Sequence, residues 1–244
     1  MQIRYMDGWF DGVAIQVTEG FDALRNRINT GDAVVLKGVF SRHATDAIVD
    51  ACANQFRTEE SQLLPFGVGQ KNHNRIDDEP PKAAKKRRCR LQSISFCNEH
   101  CLNEKEVVYA LAALRNELSG LPPKFAMIEP EDGHICLGAV YRYPSGGGYV
   151  EVHTDPMDLQ KTVAILAMAE RGVDFQEGGL FAVDPETGEQ VDLEPHISAG
   201  DIVLCLPDIP HGVAPIDPRD ELDWTGANGR WMMITTISPV ALYR

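Results

Sequence analysis

The stretch HICLGAVYRYPSGGGYVEVHTDP (134–156) places two strand-like runs on either side of a glycine-rich break. HICLGAVYRY (134–143) is apolar, aromatic and β-branched. GYVEVH (148–153) resumes the extended pattern until Thr154, Asp155 and Pro156 end it. Downstream, KTVAILAMA (161–169), GLFAV (179–183), DIVLCL (201–206) and RWMMITTI (230–237) read as further strands, and DPETGEQ (184–190) reads as a turn closing a hairpin. Upstream the spacing is mostly helical. Phe21 to Asn29 predicts a short helix, and Ala33 to Lys37 a short strand. Ser41 is placed to cap a helix running to about Phe56, with Ala44, Ile48, Ala51 and Cys52 on its apolar face. Asn103 to Leu118 predicts another helix, stopped by LSGLPP (118–123). Leu63 to about Leu91 shows little periodicity and much Gly, Asn, Pro and charge, so a long loop, able to serve as a lid, is expected there.

These elements predict an α+β, mainly β chain: a double-stranded β-helix (jelly roll, cupin-like) with supporting N-terminal helices. A single domain over 1–244 is expected, with about 1–133 as helix-rich support and lid loop and about 134–238 as the jelly-roll core.

The formal net charge of −13 argues against a nucleic-acid partner. Between Lys82 and Arg90, however, lie Lys82, Lys85, Lys86, Arg87, Arg88 and Arg90 with no acidic residue. Such a run is either a solvated face or a mobile flap that attracts an anionic substrate or an acidic partner. MQIRYMDGWFDG (1–12) carries charges and no apolar run, so neither a signal peptide nor a membrane span is expected, and the cytoplasm is the expected location. Reduced thiols follow from that expectation. Cys97, His100 and Cys101 could form half of a zinc site, but no second Cys/His pair at suitable spacing completes it.

Three features carry chemistry. His153 and Asp155 stand two apart at a strand end, where both can face one ion. Two imidazoles and a carboxylate on one face of an octahedron suit a divalent first-row metal with open positions. Alone, H-x-D is equally a turn in which Asp155 bonds nearby backbone. His211, in PDIPHGVAPI, is alone equally a hydrogen-bonded core histidine; together the two motifs can converge from two strands of one barrel. Arg230 heads the apolar RWMMITTI run, where a guanidinium is costly to bury unless it meets an anion; the alternative is a strand end in water. Arg219 lies in the polar loop PIDPRDELD and has no reason to be buried.

The order YRYPSGGGYVEVHTDP, a KTVAIL strand, EGGLFAV, ISAGDIVL, PHGVAPI and GRWMMI resembles the iron(II)/2-oxoglutarate oxygenases, in particular their prolyl-4-hydroxylase-like branch. The resemblance covers about 134–238; ahead of it, only GVFSRHATDAIVDAC is loosely similar. It implies that His153, Asp155 and His211 hold Fe(II), and that Arg230 binds the distal carboxylate of 2-oxoglutarate. Tyr143, and more weakly Thr162, are implied as further co-substrate contacts. Where many relatives carry Ser two residues after the arginine, this chain has Met232, which places more weight on Tyr143 or Thr162. Similar halogenases carry Gly or Ala at the carboxylate position, so Asp155 implies hydroxylation, with desaturation, epoxidation and ring closure as alternatives.

The implied reaction consumes O2 and 2-oxoglutarate and releases succinate and CO2. A freestanding small molecule, such as an amino acid or natural-product intermediate, is the expected substrate, with a protein side chain or a carrier-tethered group as alternatives. A segment within 63–91 carrying Phe66, Asn72, His73 or Arg75 could touch it. A non-redox cupin-type metal enzyme and a jelly-roll binding module are the competing classes. No membrane partner is expected, and a homodimer is left open.

Overall fold

A computed structural model describes residues 1–61, 74–79, 85–94 and 102–240. Strands β1 (Ile3–Phe10) and β2 (Ile15–Val17) precede helix α1 (Phe21–Asn29), strand β3 (Ala33–Lys37) and helix α2 (Arg42–Thr58). Strands β4 (Asn74–Asp78) and β5 (Arg87–Ile94) come next, then helix α3 (Leu102–Leu118). The remainder is β: β6 (His134–Pro144), β7 (Gly148–His153), β8 (Val163–Ala167), β9 (Gly179–Val183), β10 (Gln190–Asp192), β11 (Ile202–Cys205), β12 (His211–Ile216) and β13 (Gly229–Pro239). A 3-10 turn, Glu194–His196, lies between β10 and β11.

The strands follow one hydrogen-bonded path, β10-β9-β12-β7-β5-β6-β13-β8-β11-β3-β1-β2, with β4 alongside β5. The fold is mainly β, with a large mixed sheet and supporting helices, as the strand spacing predicts. β8 (VAILA) and β11 (IVLC) are buried along their whole length, which explains their continuous apolar sequence; strands flanked on both sides and covered on both faces cannot alternate with polar residues. The long antiparallel ladder between β6 and β13 runs in register from Gly229↔Pro144 to Pro239↔His134. Ser41 caps α2 by accepting the Ala44 N–H, and the helix continues to Thr58.

Two expectations need correction. The 63–91 segment is not one loop: β4 and β5 are antiparallel strands within it. The basic run is accordingly not a flap where it is described, because Arg87, Arg88 and Arg90 are ladder residues of β5. The sequence hides this strand because Arg87, Arg88 and Arg90 read as a solvated run, whereas in the fold each has a partner. Arg88 meets Asp78 and Glu79, Arg87 meets Asp77, and Arg90 is fixed by Asn74 and the Trp224 carbonyl. β1 is also unannounced; its two buried residues, Met6 and Gly8, are too few to mark a strand, yet it pairs in parallel with β3.

β5 divides inside from outside. Cys89 and Leu91 are buried on one face. On the other face, the Arg90 guanidinium lies 4.3 Å from the ring centre of Phe56 on α2, and Phe56 stacks on Trp231 of β13 at 5.6 Å. Helix α2 thus covers the outer face of β5 and β13. The inward faces of β6, β7, β8, β9, β12 and β13 enclose a cavity. Among the described residues no helix is long and apolar enough to cross a membrane.

Candidate metal centre and cavity

His153 ends β7 and His211 begins β12, and the antiparallel register sets them directly opposite each other. Their ring centres are 4.5 Å apart. Asp155 lies just past β7, where its backbone N–H donates to the Pro207 carbonyl. Its carboxylate oxygens stand 3.9 Å from His153 Nε2 and 3.7 Å from His211 Nε2. One donor atom from each residue falls within 4.8 Å of the others.

The second nitrogen of each ring fixes the tautomer. Nδ1 of His153 lies 2.9 Å from the Glu151 carbonyl, and Nδ1 of His211 lies 2.9 Å from the Ile209 carbonyl. A carbonyl only accepts, so each Nδ1 must carry the proton and each Nε2 turns its lone pair towards Asp155. Burial lowers the pKa of His153 to about 4, with Lys85 and His211 adding to the effect, which keeps the ring neutral as a ligand must be. Two imidazoles and one carboxylate on one side of a gap are a donor set for a divalent first-row ion. The residues present therefore fit a metal.

The cavity has a volume of about 140 Å³. Val150, Val163, Ile165, Leu180, Val213, Met232 and Ile234 give it apolar walls, and Tyr141 and Tyr143 contribute phenols from one face of β6. Tyr143 is buried, and burial raises its pKa well above the ordinary value, so its hydroxyl stays a neutral donor. Burial likewise pushes Tyr141 up to about 12. Thr162 does not line this cavity: Val163 and Ile165 face it, and Thr162 is out of phase with them. Met232 does line it, and offers a thioether where the sequence lacks a hydroxyl.

Arg230 is 1% exposed and stands in register opposite Tyr143. Its Nε donates to Oε1 of Glu194, itself 1% exposed at the side chain. The same oxygen accepts the Leu180 N–H at 2.7 Å. Nη1 of Arg230 and Oε2 of Glu194 are buried without hydrogen-bond partners. The second glycine of EGGLFAV, Gly179, makes room for this pair. Gly179 has φ +122°, and a Cβ there would lie 2.1 Å from Glu194 Cγ. Arg219, by contrast, is 86% exposed at the side chain and pairs with Glu177.

Two cations also reach the cavity, Lys85 and Arg87. Lys85 Nζ is 3.7 Å from an Asp155 oxygen, and burial lowers its pKa while Asp155 opposes that shift. Arg75, Phe66, Asn72 and His73 are the substrate contacts expected from this region. Arg75 is on β4 and pairs with Asp77; the other three, like Cys97, His100 and Cys101, lie outside the described residues. Sequence reasoning passes over Tyr141 and Glu194, and names Arg87 only as part of the basic run. Tyr141 is signalled by its two-residue offset from Tyr143. Arg87 precedes Cys89 and Leu91 on the inward phase of β5. Nothing in VDLEPHIS marks Glu194, whose partner is remote in sequence.

No protein-family model and no curated protein sequence matches the chain. Solved structures do. A prolyl-4-hydroxylase of Pseudomonas putida matches with a TM-score of 0.59 at 19% identity, covering 88% of this chain and 97% of that one. The fold is that of the 2-oxoglutarate/Fe(II) oxygenases, on the prolyl-4-hydroxylase pattern. A full-length Neurospora crassa protein, in complex with alpha-KG, matches at TM-score 0.56 and 12% identity over 91% of this chain and 78% of its own. EctD from S. alaskensis, with bound Fe, matches at TM-score 0.54 and 12% identity over 97% and 84%.

Proposed function

We propose that this chain is an Fe(II)- and 2-oxoglutarate-dependent oxygenase that hydroxylates an unactivated C–H bond of a small molecule. The observation that carries the proposal is the convergence of His153, Asp155 and His211, with both imidazole Nε2 lone pairs turned to one point at the head of an apolar-walled cavity. The solved structures of like fold that hold Fe or alpha-KG support it.

His153, Asp155 and His211 would hold the metal, whose bound chemistry splits O2 between succinate and the substrate C–H bond as 2-oxoglutarate loses CO2. The chain's own residues bind and orient. The Glu151 and Ile209 carbonyls hold the two imidazoles in the ligating tautomer. Arg230, with Nη1 buried and unpartnered, is the anchor for the distal carboxylate of 2-oxoglutarate, and the Tyr143 hydroxyl across the ladder is a second donor. Thr162, buried and like Arg230 outside the lining of the cavity, is the weaker candidate for that role. Val150, Ile165, Leu180, Val213 and Met232 exclude water between the two ends.

The test is anaerobic. Fe(II) plus 2-oxoglutarate should give a visible charge-transfer band, absent in Asp155→Ala and His211→Ala and weakened in Arg230→Ala. A metal site without a 2-oxoglutarate-dependent band would point to a non-redox cupin-type enzyme. Screening small molecules for stimulated succinate release then reads the substrate. Release stimulated only by peptides or carrier-bound groups would overturn the small-molecule part of the proposal.

A further inference from the structure

Lys85 and Arg87 stand two residues apart, and both line the metal cavity. Arg87 is held from behind. Its Nε lies 2.6 Å from Asp77, and Asp77 also pairs with Arg75 at 2.9 Å. One carboxylate, 5% exposed, therefore serves two guanidiniums, so this wall keeps a surplus of positive charge even before Lys85 is counted. Among the described residues, the ion pair of Lys85 is with Asp155 alone. If Asp155 ligates a metal, as proposed above, its charge is committed there and Lys85 has no carboxylate of its own.

Arg87 is opposite Val150 on β7, and Lys85 is beside Asp155, whereas Arg230, opposite Tyr143, is not among the residues that line the cavity. Lys85 and Asp155 are also its open end, with side chains 31% and 25% exposed, while Tyr143 is 3% exposed. A cavity of about 140 Å³ is small beside ligand pockets of roughly 300–1,000 Å³, so a second molecule bound with 2-oxoglutarate must extend towards that open end. Val163, Ile234 and Thr236, which also line the cavity, carry no charge.

We infer that Lys85 and Arg87 form the recognition site for an anionic group, a carboxylate or a phosphate, on the primary substrate. The inference rests on the oxygenase proposal for its account of Asp155. A cationic pair beside an apolar wall favours an acid with a short hydrocarbon portion presented to the metal. It disfavours amines and neutral alcohols, which bring no negative charge to the surplus of positive charge on this wall. Arg87 supplies a guanidinium face already oriented by Asp77, and Lys85 supplies a movable ammonium on the open side.

The test uses the full chain loaded anaerobically with Fe(II) and 2-oxoglutarate, with calorimetric titration of butyrate, inorganic phosphate and, as neutral control, butanol. Butyrate or phosphate should bind, butanol should not, and which anion binds identifies the group. Lys85→Met should weaken anion binding about tenfold, and Lys85→Arg should restore most of it. Arg87→Met should do the same or more; Arg87→Lys guards against a folding defect, since it keeps a partner for Asp77. Equal anion affinity in wild type, Lys85→Met and Arg87→Met would overturn the inference. So would anion binding that 2-oxoglutarate abolishes, because the pair would then hold the co-substrate. Failure to bind Fe(II), with anion binding intact and sensitive to both substitutions, would remove the oxygenase proposal and leave the anion site standing.

Discussion

Glu194→Gln isolates the charge of the most deeply buried ion pair in the site region. Gln is nearly isosteric and keeps an oxygen for the Leu180 N–H, so the backbone of β9 loses little. What disappears is the counter-charge of Arg230. Both side chains are 1% exposed, so the guanidinium cannot turn to water. Removing one partner of such a pair costs about 3–5 kcal/mol, against about 0–1 kcal/mol for an exposed pair. In a chain of 244 residues each kcal/mol moves Tm by roughly 2–4 °C, so a fall of about 6–20 °C is expected. Calorimetry or urea titration of the metal-free protein measures it. Adding Arg230→Met to Glu194→Gln should recover part of the loss, because the pair is then replaced by neutral groups. A loss below about 1 kcal/mol would refute the reasoning, showing that Arg230 has another counter-ion or reaches solvent.

Gly179→Ala attacks the same pair sterically: with φ at +122° and the new Cβ 2.1 Å from Glu194 Cγ, a loss of about 2 kcal/mol or more is expected in the same titration. Fe(II) at about a hundred times its Kd should stabilise the wild type by about 2.7 kcal/mol and raise Tm by several degrees. Asp155→Ala and His211→Ala should show no such rise; an unchanged rise would place the metal elsewhere. Cys89 is buried, and burial pushes its thiol up to about 12, so only about one molecule in ten thousand carries a thiolate at pH 8. Peptide mapping after native alkylation at pH 8 should find Cys89 unmodified, and rapid labelling would show that β5 opens.

The second half of the molecule was legible because its chemistry and its geometry share one period. His153 and Asp155, two apart at a strand end, and His211 at the head of another apolar run needed only a register to meet, and β12 against β7 supplies it. β6, β8 and β13 announced themselves by apolar and β-branched runs. β4 and β5 did not, because their stability comes from cross-strand charge pairs, such as Asp78 with Arg88, that read as solvated polarity in a linear sequence. Arg230 was singled out for its burial, and its nearest anion is Glu194, brought from a 3-10 turn with no motif of its own. Thr162 precedes the strand that begins at Val163 and is not among the residues that line the cavity.

β5 presents Arg87 to the cavity and, three residues on, Arg90 to the ring of Phe56 on α2. The strand therefore has an inside and an outside that are not interchangeable, and both are cationic. For anyone building libraries on this scaffold, the register of this strand matters more than its composition. One residue inserted between Arg87 and Arg88 would exchange the two faces, putting a guanidinium where Cys89 is buried and a thiol under the helix. A residue added or removed within β4 would likewise shift Asp77 away from Arg87. Substitution is the safer way to vary both strands.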